Sequence, residues 1–367
     1  MLTSSHAHHR STFPLSLFPV PKYLLPPIVG LDISDHAIRI VEMIFSKNGV
    51  RMGKQERVLL PKGAVLDGDI VDEQPLMRIL RELRRKHRLA VVSVSLPAEH
   101  AYYFRLSVPG FTLSRKEVLS AIEFRLEESV PVSPQEAIFD YTLIGERSES
   151  TDVAVTVMQR KIVEKYFSVL SRVGLDPWLF EAEPEALVRS VIPAGDKSTS
   201  MIIDLGELKT VVAIASAGAV LFTAVIETAS DALTTAIEKK LDISHAKAES
   251  LKKGSGFENT EENKKIYEIL ATGVSVLRDE LLKLEEYWRT RLNADGSKNK
   301  PIERVYLCGG GANLKGLPAY LSFALKVEVV LADVWINAFG IREHIPIVTF
   351  EESQGYATAV GLALARV

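Results

Sequence analysis

The sequence predicts an α/β fold in which two similar halves face each other across one cleft, with a separate α+β unit inserted. A β-branched run that reaches an aspartate, a small residue and a second apolar run occurs twice, as IVGLDISDHAIRIVEM from Ile28 and as SMIIDLGELKTVVAIA from Ser200. A glycine-rich turn, CGGGAN from Cys308, follows an apolar run late in the chain. Strand and helix patterns alternate between these segments, which is typical of α/β proteins.

Residues 1–27 differ in composition from the rest of the chain. They contain five prolines, Pro14, Pro19, Pro21, Pro26 and Pro27. These prolines interrupt any amphipathic helix and any signal-peptide apolar core. We therefore expect a disordered N-terminal extension, with a peripheral membrane anchor as the alternative.

The two repeated segments are predicted to form β-hairpins in which an aspartate ends the first strand. Asp32 and Ser34 hold the equivalent positions of the first hairpin, and Asp204 and Gly206 hold those of the second. Two such hairpins would surround one cleft with two carboxylates and two sets of backbone N–H groups. That arrangement suits a metal-bound polyphosphate.

The segment from about residue 105 to residue 176 has a pattern of its own. Ser114 and Glu117 form a capping-box signature, and Pro131 is expected to stop the helix that follows. Val118, Ile122, Phe124 and Leu126 are expected to form its apolar face. Two strands and a second helix come next, so we expect a compact α+β unit.

The second repeat is followed by a helical region. Two short helices are predicted after it, the second capped by Ser244. A long amphipathic helix is predicted from about Lys264 to Leu292, and its apolar face is expected to contain Ile269, Val276, Leu277, Leu281, Leu284 and Trp288. The chain is expected to close with a short amphipathic helix, TAVGLALARV. The predicted first half covers residues 28–104 plus 177–199, the inserted unit 105–176, the second half 200–232 plus 300–367, and the helical insertion 233–299.

The glycine-rich turn lies where a buried strand becomes a helix. Gly309, Gly310 and Gly311 would let a ligand approach the backbone, and a helix N-terminus favours anionic groups. Tight packing without a ligand is the alternative explanation of these glycines.

Composition excludes several functional classes. The formal net charge of −3 gives no reason to expect nucleic acid as a partner. The single cysteine, Cys308, excludes an internal disulfide and a cysteine metal cluster. Thr210 to Ile226 carries no charge but is too short to span a bilayer, and we expect two buried strands there and no transmembrane segment.

In this order, the two aspartate hairpins and the glycine turn resemble the phosphate and adenosine elements of the actin-like (ribonuclease H-like) ATPases. The segments AIEFRLEESVPV, GLDPWLFEAEPEAL, LTTAIEKKLDISHAKAESLKK and GGGANLKGL make the chain similar, over about residues 28–367, to the PilM family of type IV pilus assembly. The resemblance implies an actin-like duplicated fold with an SHS2-like inserted subdomain.

The resemblance also implies roles for individual residues. Asp32 and Asp204 would hold Mg²⁺, and Glu183 would orient a hydrolytic water. The remaining ATP-binding residues implied by the family pattern are Ser34, Gly206, Lys209, Thr210, Glu249, Lys252, Gly309, Gly310, Gly311 and Asn313.

Three departures from the family pattern weaken the expected nucleotide chemistry. Ser34 replaces a glycine, and a positive φ there would cost roughly 1 kcal/mol. Asp35 adds negative charge where phosphates are expected, and Ala229-Ser230 replaces the usual Gly-Gly. We therefore expect ATP binding with weak or no hydrolysis.

The function that the resemblance implies is a cytoplasmic scaffold of type IV pilus assembly, or of related type II secretion. It would lie at the inner membrane by docking the short cytoplasmic segment of a PilN-like membrane protein, and the family also leaves room for contacts with pilus ATPases and self-association. A division protein of the FtsA type is an alternative, although its usual membrane helix would have to follow Val367. A small-molecule kinase of the sugar-kinase branch is a further alternative, for which no carboxylate-base signature is evident.

Overall fold

A computed structural model describes residues 28–47, 49–110, 114–146, 150–293, 296–340 and 342–365. The predicted N-terminal extension, residues 1–27, lies outside the described residues.

The described chain forms fifteen strands, numbered here in chain order. They are β1 (Val29–Ile33), β2 (Ala37–Ser46), β3 (Gly49–Leu59), β4 (Val65–Leu66), β5 (Asp69–Ile70), β6 (Val91–Leu96), β7 (Ala101–Pro109), β8 (Ala137–Glu146), β9 (Ser150–Gln159), β10 (Asp176–Ala182), β11 (Thr199–Leu205), β12 (Thr210–Ser216), β13 (Ala219–Ile226), β14 (Arg304–Cys308) and β15 (Val329–Leu331).

The same residues form ten α-helices. They are α1 (Glu73–His87), α2 (Arg115–Ser129), α3 (Arg160–Arg172), α4 (Glu183–Val191), α5 (Ser230–Leu241), α6 (His245–Ser255), α7 (Lys264–Thr290), α8 (Leu317–Leu325), α9 (Phe350–Ser353) and α10 (Ala357–Leu364).

Two five-stranded sheets repeat the same topology. The first has the order β10-β6-β1-β2-β3 and the second the order β15-β14-β11-β12-β13. In each sheet the repeated hairpin is antiparallel and extended by a third antiparallel strand, and two parallel strands complete the other side. The two halves inferred from the repeated sequence are therefore also repeated in structure.

Two helices, α4 and α10, share one apolar core with both sheets. Leu187, Val188 and Val191 of α4 and Val360 of α10 are buried in this core together with residues of both sheets, such as Val41 and Ile202. Helices α1 and α3 pack on the opposite face of the first sheet, and α5, α7 and α8 pack on that of the second. Each half thus has its own outer core, and both share the central one.

The α+β unit consists of a three-stranded antiparallel sheet, β7-β9-β8, covered by α2. The predicted capping box between Ser114 and Glu117 is present at the start of α2. The apolar core of the α+β unit contains residues between Leu106 and Val157. Helix α3 contributes its buried side chains to the core of the first half.

Four details differ from the expectations. Phe124 is 80% exposed, since the buried stripe of α2 consists of Val118, Ile122 and Leu126. Ser244 stands at the N-cap of α6, but its side chain makes no capping hydrogen bond. In α7, Val276 is exposed. The final helix is buried on nearly all sides and is not amphipathic, because it lies in the central core.

Among the described residues, no helix combines the length and apolar character needed to cross a membrane. The uncharged run Thr210 to Ile226 forms β12 and β13, as predicted.

Close backbone packing holds α10 against the first half. A Cβ atom added at Gly361 would overlap the carbonyl oxygen of Ala186 in α4, and one added at Gly30 in β1 would overlap that of Ala359. Only glycine fits at these two contacts without moving the backbone, so the helix depends on both residues for its position.

We expect Gly361→Ala to lower the free energy of unfolding by about 1–3 kcal/mol, because its methyl group would meet backbone and not a flexible side chain. The measurement is urea unfolding. Gly254→Ala is the matched control, since Gly254 also lies in a helix and has open space around it. That variant should be as stable as the parent or slightly more stable. Equal stabilities of Gly361→Ala and the parent would contradict the packing argument.

Candidate functional site

A narrow cleft lies between the two halves. It is lined by the turn after β1, the start of α4, the end of β11 with its turn, the turn after β14 and the start of α10. The lining residues are Asp32, Ser34, Asp35, His36, Arg39, Glu183, Asp204, Gly206, Glu207, Leu208, Lys209, Val211, Gly309, Gly310, Gly355, Ala357 and Thr358. The cavity volume is about 60 Å³. This is far below the roughly 300 Å³ at which small-molecule pockets begin, so a nucleotide needs the side chains to move.

Asp32 lies at the end of β1 and is buried. Its Oδ1 accepts a hydrogen bond from Ser95 Oγ at 2.9 Å, and its Oδ2 pairs with Arg39 Nη1 at 3.2 Å. The hairpin register places Arg39 directly opposite Asp32 on β2. The first carboxylate of the cleft is therefore already neutralised by the protein.

Asp204 occupies the equivalent position of the second hairpin, where its cross-strand partner is Val211. In the part of the chain that the structure describes, its carboxylate has no hydrogen-bond or ion-pair partner. Burial raises the pKa of Asp204 to about 6, Asp32 adds to this effect, and Arg39 and Lys209 oppose it. The second carboxylate is therefore the one available to a ligand.

Gly309, in the turn after β14, lies against this second carboxylate. Its φ of +88° favours glycine, and a Cβ atom there would overlap both Asp204 Oδ1 and the carbonyl oxygen of Leu205. Gly310 is exposed, with open space where a Cβ would stand. Gly311 packs closely on Leu205 and Ser230.

The departures in the first hairpin are accommodated without strain. Ser34 does not adopt a positive φ, and its hydroxyl donates to the Ala37 carbonyl at 3.0 Å and accepts from the Ala37 N–H. Asp35 accepts hydrogen bonds from the backbone N–H groups of Asp67 and Gly68, both at 3.0 Å. These two side chains hold the turn in place, so the glycine cost considered above does not arise.

The turn of the second hairpin is tied to the opposite half. A Cβ atom at Gly206 would lie 2.7 Å from the Lys209 carbonyl oxygen, which explains the glycine. Lys209 forms an ion pair with Glu99 of the first half. Burial lowers the pKa of Lys209, but Glu183 and Glu99 raise it more, so the net pKa is above its ordinary value. Thr210 is buried and donates to the Thr228 carbonyl at 2.6 Å.

Glu183 begins α4 and reaches the cleft from the first half. Its side chain is buried, and its Oε2 accepts a long hydrogen bond of 3.4 Å from the Ala98 N–H. Burial raises the pKa of Glu183 to about 8, against the opposing charge of Lys209. At neutral pH this carboxyl group is therefore mainly protonated.

Glu249 and Lys252, two of the predicted ATP-binding residues, lie outside the cleft lining. Lys252 is buried and donates to Ser230 and Thr234, while its ammonium lies 2.7 Å from Glu249. Burial raises the pKa of Glu249, but the hydrogen bonds from Lys252 and Thr234 lower it more strongly. The resulting pKa of Glu249 is about 2. The pair fastens α6 to the start of α5. Asn313 donates to the Glu351 carbonyl at 2.7 Å and is also not part of the lining.

Several residues that line the cleft were not among the predicted site residues. One of them could have been found from the sequence. Arg39 can be found by pairing the hairpin strands residue by residue from the turn, since Asp32 then meets Arg39. Glu207 bonds to His36 at 2.9 Å and to Arg57 at 2.8 Å. These contacts cross the cleft between the halves, and sequence pairing cannot reveal them.

A divalent metal fits the donors of the cleft only in part. No group of three or more His, Cys, Asp or Glu side chains able to hold a metal is found among the described residues. Mg²⁺ commonly takes only one or two carboxylates and fills its shell with water and phosphate oxygens. Asp204 can serve as such a carboxylate, whereas Asp32 is paired with Arg39.

The pKa of Glu183 makes stability depend on pH. The folded state holds this proton to about pH 8, whereas the ordinary pKa is 4.5. The free energy of unfolding therefore falls as pH rises between these values. We expect Glu183→Gln to reduce that fall and to be more stable than the parent at pH 8.5, by more than about 1 kcal/mol. Urea unfolding from pH 5 to pH 9 measures this.

Glu261→Gln, at an exposed position, is the control for Glu183→Gln and should follow the parent profile. Parallel profiles of Glu183→Gln and the parent would show that the buried carboxyl group does not titrate in this range.

Comparison with known structures supports the fold. A chain of a PilM–PilN type IV pilus biogenesis complex is 23% identical, covers 92% of this chain and 97% of its own length, and has a TM-score of 0.74. MreB5 of Spiroplasma citri bound to AMPPNP is 15% identical over 92% of this chain and 94% of its own length, with a TM-score of 0.56. The ethanolamine utilization protein EutJ from Carboxydothermus hydrogenoformans is 18% identical over 95% and 91%, with a TM-score of 0.53.

These similarities confirm the predicted actin-like α/β fold, while the SHS2-like character of the inserted unit stays a prediction. The sequence model of the family described as type IV pilus assembly protein PilM matches residues 30–367. The chain therefore belongs to the PilM family of type IV pilus assembly proteins.

Proposed function

We propose that this protein is an ATP-binding scaffold of type IV pilus assembly that docks the cytoplasmic segment of a PilN-like inner-membrane protein. The observation that carries the nucleotide part is the meeting of Asp32, Asp204 and the Gly309 turn at one cleft. Family membership carries the pilus part. The protein would lie in the cytoplasm and reach the inner membrane through its partner.

Nucleotide binding is supported by the position of the cleft within the fold. The similar MreB5 structures contain ADP or AMPPNP. In this chain the cleft offers a free carboxylate at Asp204 and an open glycine backbone at Gly310. Asp204 would hold Mg²⁺ together with the phosphates, and Mg²⁺ would neutralise phosphate charge there.

Hydrolysis is expected to be slow for a reason visible in the site. Glu183 is the candidate to orient a hydrolytic water, but a general base must be ionised to accept a proton. Since the pKa of Glu183 is raised to about 8, most molecules carry the protonated form at pH 7. A scaffold that binds ATP and turns it over slowly is consistent with this arrangement.

Replacing Asp204 with alanine is expected to remove Mg²⁺-ATP binding, because the free carboxylate of the cleft is lost. Titration of a fluorescent ATP analogue with Mg²⁺ present measures this. Asp279→Ala, on the exposed surface of α7, is the control and should bind as the parent does. Unchanged affinity of Asp204→Ala would overturn the assignment of the cleft.

Partner docking is proposed on the inserted unit. The family resemblance implies that the PilN segment docks beside this unit, and the similar structure is that of a PilM–PilN complex. Phe124 of α2 is 80% exposed and lies in the AIEFRLEESVPV segment that carries the resemblance. An exposed aromatic side chain of this kind can anchor an apolar peptide.

We expect Phe124→Glu to weaken binding of a synthetic peptide of the PilN cytoplasmic segment by at least about tenfold, since truncated aromatic anchors commonly cost more than 1 kcal/mol. Fluorescence anisotropy measures this. Phe323→Glu is the matched control, because Phe323 is 87% exposed on α8 of the second half. Equal losses in both variants, or no loss in Phe124→Glu, would contradict docking at α2.

A further inference from the structure

The two hairpins of the cleft differ in the charge placed opposite their aspartates. Asp32 is in register with Arg39, whereas Asp204 is in register with Val211. The side chains opposite each other on neighbouring strands are close enough to pair. The first carboxylate therefore has a cation directly opposite it on the partner strand. The second has an apolar residue there, and the lysine in its turn, Lys209, pairs with Glu99.

Arg39 is largely buried in the cleft but makes few hydrogen bonds there. Its side chain is only 13% exposed, and Nη1 lies 3.2 Å from Asp32 Oδ2 and 3.3 Å from Ser34 Oγ. Its buried Nε has no hydrogen-bond partner within the described residues. A buried donor without an acceptor is costly, and so the guanidinium can gain a hydrogen bond when an anion enters.

The other cation of the lining is engaged elsewhere. Lys209 pairs with Glu99, while the carboxyl groups of Asp32, Asp35, Glu183, Asp204 and Glu207 all face the cleft. Arg39 is therefore the cation of the lining that pairs with a hairpin aspartate, and its charge also acts on Asp204.

We propose that Arg39 is an internal counter-ion that keeps divalent metal off Asp32 until a polyphosphate draws the guanidinium away. The empty cleft then binds metal poorly, and metal enters together with the phosphates that supply its remaining ligands. An arginine suits this exchange, because the fork of the guanidinium group matches the geometry of both carboxylate and phosphate. The release of Arg39 by a polyphosphate rests on the proposed nucleotide-binding function, whereas the exclusion of metal from the cleft without nucleotide does not.

The test uses metal alone and no nucleotide. Mn²⁺ binding to the full chain is followed by electron paramagnetic resonance, and Mg²⁺ by the shift in thermal unfolding temperature. The parent should show little binding. Arg39→Gln should bind Mn²⁺ at least about tenfold more tightly, because a positive charge near the two carboxylates is removed. Arg39→Met, which keeps the aliphatic packing, should behave in the same way.

Three controls define the site. Arg57→Gln removes an arginine from the neighbouring strand that pairs with Glu207 at the more exposed rim, and it should bind metal as the parent does. Arg39→Lys keeps the charge and should also resemble the parent. The double variant Arg39→Gln, Asp204→Ala should lose the gained affinity, which places the metal in the cleft.

Tight Mn²⁺ binding by the parent, or equal affinities of the parent and Arg39→Gln, would overturn the counter-ion inference. Failure of the proposed function is distinguishable from this result. If nucleotide fails to bind while Arg39→Gln still gains metal, the counter-ion role of Arg39 at Asp32 stands and the nucleotide assignment fails.

Discussion

The arrangement of the cleft depends on the close contact of the last helix with the first half. Helix α10 comes from the end of the chain, yet it packs on β1 and α4 through Gly30 and Gly361. Since α10 and α4 share one core with both sheets, that contact fixes how the two hairpin ends face each other. Protein interiors are close-packed, so displacing this helix by the width of a methyl group would also displace the residues that line the cleft.

Electrostatics then decides what the cleft can hold. Asp32 is satisfied by Arg39 and Ser95, whereas Asp204 has no partner among the described side chains. Glu183 is buried close to these charges and keeps its proton at neutral pH. The two halves have the same topology, but the charges they bring to the cleft are unequal. This inequality is consistent with a site that binds nucleotide more readily than it hydrolyses it.

Much of the fold could be predicted from the sequence, because the signals are local. The spacing of apolar residues indicated both hairpins, the long helix α7 and the strand-to-helix turn after β14. The capping box at Ser114 was predicted from two residues three positions apart. Phe124 was expected on the buried face and is exposed, since helical periodicity leaves the edge of an apolar face undefined and packing against the sheet decides it.

The family and the repeated aspartate hairpins could be inferred from the sequence alone, because both are carried by short local motifs. Three features became visible only in the folded chain: α10 is buried on nearly all sides, Glu207 bridges to His36 and Arg57, and Glu249 and Lys252 bind each other outside the cleft lining. The physical reason is the distance along the chain between the residues that interact. Turns and caps depend on neighbouring residues, whereas burial, pKa and contacts across the cleft depend on groups that only the complete fold brings together.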